Sequence, residues 1–229
     1  SPRVSETITV TANRAESAWS TPRCRFLVGS VEQAAYGVVS FTLQRTRYAR
    51  CDTLDLTLGF DPTATQPPYW FDVPSPAAGQ TLADIDVQLQ MQDAESSGAQ
   101  WTTVFRGILD HVSLQPHRGQ VQIQCRDYLA KLMDMRVQDA WLNMTGPELM
   151  KAVITAAGLT PNVRFAAGME GQFWQIEHKR HSSHAQTRFQ TAFDLARYVA
   201  NGANCDLYAD GKTIVCRSYP DASSDDAVF

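Results

Sequence analysis

Four groups of residues have the type and spacing to do chemistry. His178, His181 and His184 form H-x-x-H-x-x-H, the spacing most suggestive of a metal site. On a helix each three-residue step turns 300°, so the outer two imidazoles diverge by about 120°. On a strand His181 faces away from the other two. Only an irregular loop converges all three, and no Cys or acidic ligand stands nearby at metal-site spacing. The expectation is a polar loop, "EHKRHSSHAQ", and no metal or cofactor. Carboxylate pairs offer a second possibility, because glycoside hydrolysis runs on two of them. Asp84 with Asp86, and Asp52 with Asp55, are the candidates, although two acids on one strand face also describe an ordinary solvated surface. The cysteines, Cys24, Cys51, Cys125, Cys205 and Cys216, are odd in number and include no C-x-x-C. That fits neither a disulfide framework nor a zinc knuckle. No G-x-S-x-G, H-E-x-x-H or Gly-rich phosphate loop occurs, so the reading is a protein with no catalytic residues.

The fourth group is Tyr69, Trp70 and Phe71, three adjacent aromatics inside the Pro-rich stretch "DPTATQPPYWFDVPSPAAGQ". A loop this long is uncommon inside a compact domain unless it carries function. The trio either folds back over an open barrel end or meets a protein partner, and it supplies the candidate interface residues.

The elements that position these groups follow from periodicity. Between Cys24 and Arg126 apolar residues alternate with polar ones, the mark of half-buried strands. Val39, Phe41 and Leu43 oppose Ser40, Thr42 and Gln44. Leu54, Leu56 and Leu58 oppose Thr53, Asp55 and Thr57. Ile85, Val87, Leu89 and Met91 oppose Asp86, Gln88, Gln90 and Gln92, and Val121, Ile123 and Cys125 repeat the pattern. With strands near Arg25–Val28 and Val104–Leu114, about six strands must hide their edges. A small antiparallel β-barrel, closed or nearly closed, is expected. Gln88, Gln90 and Gln92, with Gln120, Gln122 and Gln124, make two neutral amide ladders. They line a channel that does not hold DNA, or they form outer faces or subunit interfaces.

After Arg126 the period changes to that of helices. Asp127 is positioned to cap a short helix bearing Leu129, Leu132 and Met133. Thr145 and Glu148 form a capping box, with Pro147 in the first turn and Gly158 as the stop. A third helix is expected over 186–200, ended by Gly202. "CDLYADGKTIVCRSY" reads as a hairpin turning at Asp210-Gly211, which makes Cys205 and Cys216 direct cross-strand neighbours. The fold class is mainly β with α+β: an N-terminal arm over 1–22, a barrel over 23–136 and a smaller α/β domain over 137–229.

Composition narrows the function classes. The 229 residues are 44% hydrophobic and 19% charged, which suits a packed core. A net charge of −4 without a dense Lys/Arg block argues against tightly held nucleic acid. The most apolar helical stretch, "AVITAAGL", falls well short of the roughly 20 residues that span a bilayer. The N-terminus shows no basic region followed by an apolar one, so no signal peptide is expected.

The passages "FRGILDHVSLQPHRGQVQIQCRDYLAKLMDMRV", "TGPELMKAVITAAGLTP" and "FQTAFDLARYVANGANCDLYADGKTIVCR" together resemble the late control protein D and baseplate hub family of phage tails. The positions carrying the likeness are Phe105 and Gly107, Arg126 and Asp127, Ala156 to Leu159, and Phe193 through Val215. They cover roughly residues 100 to 217. The resemblance implies a structural virion protein with tail-tube-like barrels, assembled in the host cytoplasm as a homotrimer. Its ring would join the tail tube, or a distal tail protein, to the central spike, with DNA passing through. Such proteins carry two barrels per chain, whereas one is evident here. The second is expected beyond Phe229 or from another chain. Two other readings stand beside this one. Tyr69, Trp70 and Phe71 would serve a carbohydrate- or cell-wall-binding β module as a sugar-stacking platform, and the carboxylate pairs would serve a tail-associated hydrolase.

Overall fold

The computed structural model describes residues 6–11, 22–46, 50–61, 63, 84–92, 100–137, 144–166 and 190–218. The chain divides into two compact units. One comprises Ser1–Thr46 with Asp52–Asp127, the other Arg47–Cys51 with Tyr128–Phe229.

The first unit is one antiparallel sheet. Its strands are β1 (Glu6–Thr11), β2 (Arg23–Val28), β3 (Val31–Glu32), β4 (Gly37–Arg45), β5 (Thr53–Gly59), β6 (Asp86–Gln92), β7 (Thr102–Gln115) and β8 (Gln120–Asp127). They lie in the order β1-β4-β5-β8-β7-β6-β2-β3. Alternation drives the packing as expected. Leu54, Leu56 and Leu58, Val87 and Leu89, and Val121, Ile123 and Cys125 are all buried. They join Phe26, Val28, Phe41, Leu43 and Phe105 in a single cluster.

A flat sheet cannot bury one face using only its own side chains. β2 and β4 stand five strand positions apart, which is about 24 Å in a flat sheet. Their Cα atoms nevertheless approach within 8 Å. The sheet is therefore rolled around its apolar face. Of the closed or nearly closed barrel expected from the sequence, the described residues form the rolled sheet without closing it. The strand order ends at β1 and β3, and no ladder among the described residues joins them. The physical reason is length: β3 pairs through only two residues, Val31 and Glu32, and cannot carry a closing ladder.

Bulges adjust the alternation locally. Val39 was expected inside with Phe41. The β4–β5 register shifts between Val38 and Ser40, so Val38 packs on the core while Val39 is 36% exposed. A second shift, between Leu89 and Gln90, leaves Val104 of β7 without an opposite residue. Its carbonyl then accepts a hydrogen bond from the guanidinium of Arg45, reaching over from β4. Within the expected N-terminal arm, Glu6–Thr11 forms an edge strand paired to β4.

The second unit holds α1 (Leu129–Asp134), α2 (Gly146–Ala156) and α3 (Ala192–Gly202) with β9 (Thr160–Arg164), β10 (Cys205–Asp210) and β11 (Thr213–Ser218). The Thr145 capping box forms as expected, with Glu148 Oε2 accepting from Thr145 N at 2.8 Å. Gly158 stands just past the helix at φ 73, the left-handed stop that glycine adopts readily. α3 starts later than expected, at Ala192, because Thr191 caps it in a box with Asp194. The strand order is β10-β11-β9, with β9 parallel to β11. The N-cap position of α1 is Tyr128 rather than Asp127. Asp127 ends β8, is buried, and its Oδ2 accepts the backbone N–H of Asp52 at 2.8 Å.

Candidate functional site

The acids nominated by spacing do not converge. Asp84 sits in a turn at φ 63 before β6, while Asp86 begins that strand and pairs with Arg106 Nε at 3.0 Å. Asp52 and Asp55 separate as well. Asp55 is exposed in the cross-sheet row between Thr42 and Gln124. Asp52 precedes β5, where its Oδ1 accepts Thr46 N–H at 2.9 Å. Burial raises the Asp52 pKa above the usual carboxylate range, and the Thr46 N–H and the nearby Arg45 charge only partly oppose that. Asp127 N–H in turn donates to Asp52 O at 3.0 Å. These two aspartates therefore tie the start of β5 to the end of β8.

The convex face of the rolled sheet carries most of the unit's ordered polar chemistry. Arg25 Nε donates to Gln90 Oε1 at 2.8 Å. Gln90 Nε2 reaches Thr103 Oγ1 at 3.1 Å and Gln88 Oε1 at 3.4 Å. Arg25 also lies 4.3 Å above the centre of the Trp101 ring and 3.2 Å from a Glu32 oxygen. A cation over an indole and a planar amide network order this corner without any ligand. Arg126 forks onto Asp110 at 2.6 and 3.0 Å. The two glutamine ladders are separate. Gln88, Gln90 and Gln92 lie half-buried on β6, while Gln122 and Gln124 stand exposed on β8, with β7 between. The Arg25–Trp101 stack escaped the sequence reading. Seventy-six positions separate its partners, so no local pattern marks it.

Tyr69, Trp70 and Phe71, and His178, His181 and His184, lie outside the described residues. Among the described residues no three His, Cys, Asp or Glu side chains gather closely enough to hold a metal ion. Nor is any described helix long and apolar enough to cross a membrane.

The cysteine pair requires a correction. Asp210 faces Thr213, so the two-residue loop is Gly211-Lys212 rather than Asp210-Gly211. Gly211, at φ 55, takes the first central position, where a type II′ turn places glycine. Every pairing therefore shifts. Cys205 faces Ser218 and Cys216 faces Leu207, leaving the two cysteines as diagonal neighbours on one face. Both are buried thiols, as is Cys125, and Cys24 and Cys51 are thiols too. Burial and the adjacent Cys205 push the Cys216 thiol pKa upward, away from reactivity.

What these features define is a rolled antiparallel sheet and a small α/β unit. Compared with models of known protein families and with curated protein sequences, the chain finds no match. Solved structures do share its fold. One is the 43 kDa tail protein of prophage MuSo2 from Shewanella oneidensis, with 16% identity and a TM-score of 0.52, matched over 85% of this chain and 53% of that one. Another is a tail protein from Neisseria meningitidis MC58, with 12% identity and a TM-score of 0.56, matched over 89% of this chain and 52% of that one. The chain thus spans about half the length of each.

Proposed function

We propose that this chain is a non-enzymatic structural protein of a phage tail, a hub protomer whose ring joins the tail tube to the central spike. The observation that supports the reading most is the fold. A rolled sheet plus α/β unit matches two tail proteins over most of this chain's length. Three features are consistent with scaffold work. The convex face is internally bonded, its arginines held by carboxylates and amides, the described carboxylates nominated for hydrolysis are spread apart, and a net charge of −4 disfavours tight binding of passing DNA. Self-association, as a homotrimer, is part of the proposal, with the second barrel position filled from outside the residues described. Tyr69, Trp70 and Phe71 are proposed as interface residues toward a subunit or a neighbouring tail protein, because Tyr and Trp anchor interfaces well.

The test is electron cryo-microscopy of the assembled particle, with this chain's copy number and position as the readout. Three copies in a ring between tube and spike support the hub reading. A monomer absent from purified tails refutes it. Replacing Tyr69, Trp70 and Phe71 together with Ser is expected to lower incorporation into tails, and unchanged assembly would remove those residues from the interface.

A further inference from the structure

The alternation of backbone hydrogen bonds fixes which strand edges of the large sheet are open. In the β5–β8 ladder Phe60 N–H donates to Gly119 O at 2.8 Å and Asp127 N–H to Asp52 O at 3.0 Å. Bonded pairs alternate along antiparallel strands, so Gln120, Gln122 and Gln124 turn their backbone groups toward β7. Their register partners Gln115, Ser113 and His111 point back at β8. The N–H and C=O of Val112 and Leu114 are therefore directed at the far edge of β7. β6 covers that edge only as far as Leu109, whose N–H donates to Ile85 O at 3.0 Å. Beyond it, no ladder among the described residues reaches Val112 or Leu114.

The end strand β1 is open in the same way among the described residues. The same alternation, carried through β5 and β4, leaves the backbone groups of Thr7, Thr9 and Thr11 facing away from β4. Each adjacent pair from β1 to β7 is antiparallel, so β1 and β7 run in the same direction. Their faces match too. Val112 packs on the core, and Leu114, opposite the buried Val121, is 41% exposed where that wall of the sheet ends. In β1, Ile8 and Val10 stand opposite the buried Leu43 and Phe41 in the register. At the other end of the strand order β2 carries Arg23 and Arg25, charges of the kind that blunt an edge against pairing, whereas the outward positions of β7 are apolar.

We infer that β1 of a second copy of this chain adds in parallel to the open stretch of β7. Parallel addition sets Ile8 opposite Val112 and Val10 opposite Leu114, so the apolar faces of the two sheets continue one another. Val112 N–H then donates to Thr7 O, Thr9 N–H to Val112 O, Leu114 N–H to Thr9 O and Thr11 N–H to Leu114 O. Antiparallel addition uses the same strands but sets Val112 and Leu114 opposite threonines, which puts the core face of one sheet beside the polar face of the next. The shared direction of β1 and β7 suits copies related by rotation about an axis along the strands. The contact joins unlike edges, so it repeats head to tail and closes into a ring when the rotation allows. The inference stands on these edges alone and does not depend on the tail reading.

The test uses the full chain. Sedimentation velocity at rising concentration is expected to show a monomer passing to an oligomer of defined size. Amide hydrogen exchange read by NMR should show Val112, Leu114, Thr9 and Thr11 gaining protection as it forms. Leu114→Pro removes one outward N–H while leaving the β7–β8 ladder intact, and should weaken association about ten-fold. Leu114→Lys keeps every N–H, puts a charge on the edge at an exposed side chain, and should weaken association as well. Circular dichroism of the dilute variants checks that each keeps the fold, and Leu114→Lys decides the matter if the proline variant does not. The inference is overturned if the chain stays monomeric at every concentration, if Leu114→Lys associates as tightly as the unaltered chain, or if the oligomer forms without protecting Val112 and Thr9.

Discussion

Gly107 is the position where one methyl group does the most measurable damage. A Cβ added there would lie 2.1 Å from Arg126 O, 2.9 Å from Arg126 C and 2.8 Å from Phe105 Cζ. The Phe105 ring can turn aside, but the Arg126 carbonyl is backbone, in the β7–β8 ladder that pairs Gly107 with Asp127 and Ile108 with Arg126. Restoring ordinary contact requires the strands to separate locally by about 1 Å in a close-packed region. That also pulls on Asp127, whose carboxylate holds Asp52 N–H at 2.8 Å. Gly107→Ala is therefore expected to cost about 3 kcal/mol, the upper end of overpacking effects. In a chain of this size that is a fall of roughly 6–12 °C in Tm. The assay is urea unfolding followed by circular dichroism, with hydrogen exchange along β7 and β8 as the local readout. Gly37→Ala is the control, since a Cβ there meets nothing within 4 Å. It should change stability by less than about 0.5 kcal/mol. A Gly107→Ala protein within about 1 kcal/mol of the unaltered chain would show that the strand spacing yields easily, and the steric reasoning would fail.

Three further outcomes are expected. Asp52→Asn keeps an oxygen for Thr46 N–H and removes a carboxylate whose pKa burial has raised. A raised carboxylate contributes stability that is present below its unfolded pKa and lost as pH rises through the folded one. The variant should thus match or exceed the unaltered chain at pH 7 and lose that advantage as pH falls toward the unfolded carboxylate range. A variant weaker at pH 7 than at pH 4, relative to the unaltered chain, would contradict the burial argument. Thr145→Ala removes the hydroxyl that caps α2 through Glu148 N–H and should cost about 1 kcal/mol, read as a lower denaturation midpoint, with Thr145→Ser restoring most of it. Thiol titration of unfolded, unreduced protein should find five thiols, and a count of three would show a bridge.

Strand faces were legible because alternation is a local code. Leu54, Leu56, Leu58, Val87 and Leu89 declare their burial within a few residues of sequence, and the structure buries each of them. Helix ends were legible where the capping residues lie three apart, as with Thr145 and Glu148. The same signal at Thr191 and Asp194 marked the true start of α3, but the apolar periodicity around it drew attention to an earlier residue. Asp127 misled for the opposite reason. It has a capping side chain one residue before the N-cap, yet it ends β8, and the N–H of Asp52, 75 residues earlier, donates to its carboxylate.

The errors that remain share one cause: register and closure are decided by geometry that no short window contains. A shift of the turn by one residue, from Asp210-Gly211 to Gly211-Lys212, follows from the positive φ at Gly211 and moves Cys205 from Cys216 to Ser218. The turn dipeptide was visible in the sequence, but which of its residues takes the first central position was not. Closure of the large sheet was likewise inferred from the number of strands, whereas it is decided by the length of the edges. With β3 limited to Val31 and Glu32, the sheet rolls far enough to hide its apolar face and, among the described residues, leaves its ends unjoined. Arg45, whose guanidinium bonds the Val104 carbonyl from three strand positions away, ties part of that roll through a side chain instead of a ladder. Its partner carbonyl is free to accept because the bulge at Val104 removes it from the β6–β7 pairing. The alternation that announced the strands thus fixes what the sheet must bury, while bulges and edge lengths, which interrupt that alternation, fix the shape in which it does so.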